Sequence, residues 1–334
     1  WSLAELAEKG IEVDEAFVYE ALRGLWALQA SDRTLYHKSY VGINGLAVSN
    51  YIDMRYGVLQ GWAGHFLTTK NVLSSEMLMP VGGRRLELEY SLYDLAGRAI
   101  ADYEANFLSD ARTVVIVAKS LELFFPEDKD GIHVYMLGSG DIVKAAVRML
   151  VAIVPDRIGK LTICSPHNAQ RAVDELVGVV NNAFELEAEY NQESLFSADM
   201  VVAATSNREN MPPAIPTMQV MKPNVVLVTL ATNEAPEDFV EHLLAGNGLA
   251  LCDNTHCVSD RDHQTLALYF SRRGTTLSDK ADDYNVRQFC DAVMGNVIRQ
   301  EGQPVGVFAS GMASADALLA AAIFTAHAKE KKLI

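Results

Sequence analysis

Two glycines one residue apart, Gly138 and Gly140, follow the apolar run Ile132-His133-Val134-Tyr135-Met136-Leu137. Apolar residues then resume at helical spacing from Ile142 through Ala146. That order is strand, tight turn, helix. Such a turn lets the backbone approach a pyrophosphate, and the helix behind it aims unpaired N–H groups and its positive dipole end at the phosphates. Val143 stands where the usual fingerprint carries a third Gly or Ala, so a plain turn is the competing reading. The repeated strand–helix units that follow favour dinucleotide binding.

In such folds an acidic residue at the end of the second strand accepts from the ribose hydroxyls, whereas a 2′-phosphate requires a donor or cation instead. Here the strand ends Ile163-Cys164-Ser165-Pro166-His167-Asn168, with Arg171 one turn on and no carboxylate. Ser165, His167 and Arg171 therefore favour NADP(H) over NAD(H), unless Ser165 only caps the helix. Two later strands end in small polar residues: Thr205-Ser206 after Asp199–Ala204, and Ala231-Thr232-Asn233-Glu234 after Val225–Leu230. The carboxyl ends of parallel strands border the ligand crevice, so Thr205 and Ser206 are candidates to border the cofactor. The Leu230–Glu234 segment is expected near the nicotinamide.

Ser109 or Asp110 is placed to cap a helix running to about Phe124, which puts Arg112 in its first turn. A cation there opposes the dipole, so Arg112 reads as a surface charge or as a cation held for an anionic ligand. Arg55 and Arg84 are further anion contacts in one reading and surface charges in the other. Cys252, His256, Cys257 and His263 lie close together, but their spacing fits no common zinc pattern, and no metal is expected.

The elements that must position these groups fall into two textures. Residues 1 to 30 look helical, with Ser2 and Glu5 spaced as a capping box. Residues 33 to 93 alternate in short segments, most clearly Leu86-Glu87-Leu88-Glu89-Tyr90-Ser91-Leu92. With a turn at Asp94-Leu95-Ala96-Gly97 and a returning strand from Arg98 to Tyr103, this part predicts an antiparallel sheet. From 132 on, strands at 160–164, 184–189, 199–204, 225–230 and 249–252 are interleaved with helices at 168–180 and 236–244. Helices are also expected at 261–272 and 284–298, then a strand at 305–311 and an alanine-rich helix at 314–329. The fold class is α/β: a Rossmann-type doubly wound parallel sheet with a separate α+β domain.

A chain of 334 residues can bury a sizeable core in each of two domains. Its net charge of −15 argues against a nucleic-acid backbone as partner. No apolar run reaches the length of a membrane span. Glu5, Glu8 and Lys9 interrupt any signal-peptide pattern, and four cysteines make no disulfide framework. A reducing, cytoplasmic compartment is expected.

Several segments resemble the ornithine cyclodeaminase/μ-crystallin family, over about three quarters of the chain from Leu86 onward. They are Asp94–Gly97; Ser109-Asp110-Ala111-Arg112-Thr113; Gly138-Ser139-Gly140; Ala198–Val202 with Thr205; and Gly311-Met312-Ala313-Ser314-Ala315-Asp316. The resemblance implies a substrate and dimerisation domain from 1–125 and 305–334, with a dinucleotide domain from 126–304 inserted in it. It implies a homodimer. It places Arg112 and Thr113 at the cofactor phosphates, and Asp141, Ile142, Ser165, Thr205, Leu230, Ala231, Thr232, Asn233 and Gly311 around the cofactor. Lys70 would match a substrate-binding lysine.

One departure matters. Where the family's cyclodeaminases carry a catalytic aspartate, this chain has Asn233, with Glu234 beside it. An amide cannot take a proton as a carboxylate does. The expectation is an NAD(P)-dependent oxidoreductase acting on the C–N centre of an amino acid or cyclic imine, with Lys70 on the carboxylate and Asn233 at the nitrogen. The alternatives are an amino-acid cyclodeaminase with recycled NAD, whose base would be Glu234, and a non-catalytic small-ligand-binding protein.

Overall fold

The computed structural model describes residues 1–31, 34–43, 54–63, 66–75, 86–94, 96–104, 106–205, 207, 211–259 and 264–330. Ser206, His263 and Arg84 lie outside them, as does the side chain of Arg55. The described chain divides into two compact units, residues 1–112 with 312–334, and residues 113–311.

The first unit opens with three short helices, α1 (Leu3–Glu8), α2 (Glu15–Leu22) and α3 (Leu25–Ala30), where continuous helical texture was expected. The Ser2–Glu5 capping box starts α1, and the left-handed Gly10 (φ +75°) ends the run. Five strands then form an antiparallel meander: β1 (Thr34–Ile43), β2 (Met54–Ala63), β3 (Phe66–Ser75), β4 (Leu86–Asp94) and β5 (Ala99–Glu104). The β4–β5 turn is held by the Asp94 carboxylate, which accepts from the N–H groups of Ala96 and Arg98 at 2.9 and 3.0 Å. The last helix, α12 (Ala313–Glu330), packs across β1 to β4. Its alanines keep that approach close, and at Gly61 on β2 a Cβ would lie 1.9 Å from the Ala313 carbonyl oxygen. No side chain fits there.

The unit boundary falls within α4 (Asn106–Phe124). This helix begins earlier than its sequence suggests. The chain leaves β5 at Glu104 and turns helical almost at once, so Ser109 is not a cap and Arg112 stands in the second turn. The conflict with the helix dipole that Arg112 was expected to show is therefore absent.

The second unit is a parallel sheet of eight strands: β6 (Ile132–Leu137), β7 (Ile158–Cys164), β8 (Glu185–Glu189), β9 (Met200–Ala203), β10 (Val226–Thr229), β11 (Leu249–Cys252), β12 (Arg287–Gln288) and β13 (Val305–Phe308). Their spatial order is β8-β7-β6-β9-β10-β13-β11-β12. Strands β6, β9, β10 and β13 are buried at every residue, as strands covered on both faces must be. The glutamates of β8, at one edge, keep that edge charged. Helices α5 (Asp141–Ile153), α6 (Ala169–Val180), α7 (Glu237–His242), α8 (Thr255–Ser259), α9 (Thr265–Ser271), α10 (Leu277–Lys280) and α11 (Phe289–Val293) complete the unit. Connections leave β6 toward β7 on one side and reach β9 on the other, which creates a switch point between β6 and β9.

Two expectations are corrected. Strand β13, assigned from sequence to the first domain, sits inside the eight-stranded sheet between β10 and β11, because its four buried residues pair on both sides. The helix expected over 284–298 is only α11, since left-handed Asn285 (φ +53°) and Gly295 (φ +76°) bracket it. Among the described residues no helix is long and apolar enough to cross a membrane, and no three His, Cys, Asp or Glu side chains gather as a metal site.

Two glycine substitutions should part in sign. Gly61→Ala is expected to cost about 3 kcal/mol through overpacking against the α12 backbone. Gly178→Ala, in α6 with open space where its Cβ would stand, should stabilise by about 0.5–1 kcal/mol. Urea midpoints of both variants against the parent check this, and equal shifts would contradict the close approach of α12.

Candidate active site

The turn expected to hold a dinucleotide lies at the carboxyl end of β6. Gly138 is left-handed (φ +111°), and a Cβ there would stand 2.4 Å from the Ala204 carbonyl oxygen. The chain can thus turn tightly beneath the loop that follows β9. Gly140 is the N-cap of α5 and supplies no side-chain cap, so the first N–H groups of that helix stay available to an anion. Asp141 is exposed and Ile142 half-buried at the helix start, while Val143 is fully buried. A pyrophosphate fits this corner because the backbone, not side chains, forms it.

Ser165 joins the corner, since Ser139 Oγ donates to Ser165 Oγ at 3.0 Å. His167 is exposed, and Arg171, on the exposed face of α6, has its Nε 2.9 Å from Glu175. No carboxylate stands at the end of β7. The nearest acidic strand end, Glu189 on β8, accepts from the Tyr135 hydroxyl at 2.7 Å and from Ser194, which hold its carboxyl below the usual range despite partial burial.

At the ends of β9 and β10 the polar loops are tied down from inside. Glu234 is wholly buried. Its Oε1 accepts from the Thr205 N–H and hydroxyl (2.6 and 3.0 Å), and its Oε2 from the Leu230 and Ala231 N–H groups (2.9 and 2.8 Å). Burial pushes its pKa up to about 7, against these hydrogen bonds, which favour the ionised form. Asn233 is left-handed (φ +49°) and buried, and its amide donates to the Met211 carbonyl at 2.7 Å. The Glu234 carboxylate and the Asn233 amide N–H, both expected near a substrate, are thus spent on the protein's own groups. Thr232 pairs with Gln264 in an isolated bridge. Gly311 is drawn in likewise, its N–H donating to Asp253 Oδ2 at 2.7 Å.

A second cluster lies in the first unit. Lys70 on β3 is buried, and its Nζ donates to Ser109 Oγ at 2.6 Å and stands 4.0 Å from Asp316 Oδ1. The Tyr90 hydroxyl donates to Asp316 Oδ1, and Arg112 Nε lies 2.8 Å from the same oxygen. Asp316 Oδ2 is buried without a hydrogen bond among the described residues. Burial, with Arg112 nearby, brings the Lys70 pKa down to about 7 in spite of Asp316 and Asp110. Thr113 follows Arg112 on α4.

Sequence reasoning named Lys70 and Arg112 but gave no role to Tyr90, Asp253 or Asp316, and took Ser109 only for a helix cap. A carboxylate in the first turn of an otherwise apolar, alanine-rich helix was the available signal for Asp316. Tyr90 is one of the alternating residues on the buried face of β4.

No protein-family model matches the sequence, and no curated protein sequence does. Solved structures do match over nearly the whole chain. The Δ1-pyrroline-2-carboxylate reductase of Thermococcus litoralis, in complex with NADH and L-proline, superposes with a TM-score of 0.78 at 14% identity, covering 99% of this chain and 97% of that one. The iminosuccinate reductase of Paracoccus denitrificans, in complex with NAD+, gives 0.75 at 17%, covering 99% and 96%. A probable ornithine cyclodeaminase from Bordetella pertussis gives 0.77 at 13%, covering 99% and 97%. The chain has the fold of the ornithine cyclodeaminase/μ-crystallin family. That fold unites the parallel sheet and the antiparallel meander in one chain.

The lowered pKa of Lys70 fixes a sign. The fold favours its neutral form, so the associated stability is fully present above its unfolded pKa near 10.5 and is lost as pH falls through about 7. Between those values Lys70 should raise unfolding free energy with pH by up to about 1.4 kcal/mol per unit. Urea unfolding of the parent and of Lys70→Met across this window should differ in slope by that amount, the parent's being the more positive. Equal slopes would contradict it.

Proposed function

We propose that the chain is an NAD(P)-dependent oxidoreductase acting on the C–N centre of an amino acid or a cyclic imine. The observation that carries the substrate class is the buried Lys70–Arg112–Asp316 cluster. Lys70 and Arg112 suit a carboxylate, whose arrival would offset the cost of burying the two cations. Asp316 Oδ2, a buried acceptor without a donor among the described residues, suits a substrate N–H. Together they select a carboxylate next to a nitrogen.

Gly138, Gly140 and the opening N–H groups of α5 would hold the pyrophosphate of a nicotinamide dinucleotide, with Ser165 beside them. When bound, the nicotinamide supplies or accepts the hydride exchanged with the substrate carbon. The absence of a carboxylate at the end of β7, with Ser165, His167 and Arg171 following it, favours NADP(H) over NAD(H). The matched reductases were solved with NADH or NAD+, so a preference for NADP(H) would set this chain apart from them. Arg112, ion-paired with Asp316, is read here as a substrate-side cation rather than a phosphate contact.

The cyclodeaminase alternative needs a base near Asn233. Both oxygens of Glu234 are occupied by donors, which weighs against it. The expected homodimer has a candidate face in the first unit: an apolar groove of about 770 Å³ between α2 and α12, lined by Phe17, Ala21, Leu318 and Ala322 among others.

Purified protein given cyclic imines with a carboxylate on the imine carbon should consume NADPH, and NADH less well. Lys70→Met should raise the imine KM by about tenfold or more, the loss of one charge-assisted hydrogen bond, and leave NADPH affinity unchanged. Turnover with neither cofactor would overturn the proposal. Ammonia release without net change in nicotinamide absorbance would replace it with the lyase.

A further inference from the structure

The carboxyl ends of β9 and β10 carry a device that neither binding nor chemistry at the phosphate corner requires. Glu234 reaches back beneath its own loop and gathers four donors from two strand ends: Thr205 N–H and hydroxyl after β9, and the N–H groups of Leu230 and Ala231 after β10. The Leu230 N–H is shared with the Ala203 carbonyl on the neighbouring strand, at 2.9 Å. Glu234 is in turn pinned through its backbone. Its N–H donates to Thr265 Oγ1 at 2.9 Å, and its carbonyl accepts from the Ile215 N–H at 3.1 Å. The left-handed turn at Asn233 brings it inward, and that turn is braced by Asn207, whose amide donates to the Asn233 carbonyl at 2.7 Å.

In a doubly wound sheet the two halves of a dinucleotide lie on opposite sides of the switch point. On the dinucleotide reading, β6, β7 and β8 would serve the adenosine half, whereas β9 and β10 would border the nicotinamide half. We infer that Glu234 is a positioning residue for the nicotinamide half alone: a buried clamp that sets the two strand ends at which that half rests, and not an acid or base. This rests on the dinucleotide reading given above. An amide cannot replace the carboxylate. All four partners donate, so the NH2 of a glutamine would meet an N–H group, and one strand end would be released.

The test compares full cofactors with their adenosine-side fragments on the intact chain. Titrations of the parent, Glu234→Gln and Thr205→Val with NADPH and 2′-phospho-ADP-ribose, and with NADH and ADP-ribose, give affinities independent of turnover. The fragment Kd should stay within about twofold in both variants, while the full-cofactor Kd weakens by about tenfold in Glu234→Gln and by less in Thr205→Val. Thr205→Val, which removes one donor and leaves the charge in place, carries the test if Glu234→Gln does not fold. Equal weakening of cofactor and fragment, or no change in either, overturns the clamp. If the parent itself binds neither fragment nor cofactor, the dinucleotide reading fails, and the clamp's assignment falls with it.

Discussion

A parallel sheet ends its strands on one edge in backbone that is buried but no longer paired, and every polar group there still needs a partner. The second unit of this protein is built around that requirement. At β6 the answer is the missing side chain of Gly138, which admits the Ala204 carbonyl. At β9 and β10 it is the Glu234 carboxylate. At β11 and β13 it is Asp253, which accepts from the N–H groups of Ser310 and Gly311 at 2.8 and 2.7 Å. Two buried carboxylates thus tie the ends of four adjacent strands. The cost of desolvating each is offset by several donors rather than by a counter-charge.

The first unit solves a different problem with charge. Lys70, Arg112 and Asp316 are buried together, and burying them is unfavourable unless each is paired. The pairing is incomplete: Lys70 is pushed toward neutrality, and one oxygen of Asp316 has no hydrogen bond among the described residues. A cluster left short in this way is poor for stability and suited to a ligand that carries both an anion and an N–H donor. Gly61 contributes from a distance, because the helix that bears Asp316 can lie against the sheet only where no Cβ intervenes.

Much of this was legible in the residues. Alternation around Tyr90 and turn chemistry at Asp94 marked the antiparallel meander, and the Gly138–Gly140 pair between an apolar run and a helical stretch marked the turn from β6 into α5. The errors have local causes. The start of α4 was misplaced because Ser109 and Asp110 look like caps, whereas Ser109 in fact accepts from Lys70. The resemblance puts Val305–Phe308 with the first domain, whereas β13 pairs with β10 and β11, because sequence order carries no information on which strands become neighbours. Asn233 and Glu234 were read as facing a substrate because they follow a strand at the crevice, but polar type says nothing of the direction in which a left-handed turn sends the next side chain.

The sequence by itself determined the element types, the parallel and antiparallel halves and the position of the glycine turn between β6 and α5, because periodicity and glycine conformations act over a few neighbouring residues. Only the tertiary structure decided which groups are spent on the fold and which remain for a ligand. Thr205 meets Glu234, and Lys70 and Tyr90 meet Asp316, across long stretches of chain. Those meetings are settled by packing and by the cost of leaving a buried polar atom without a partner.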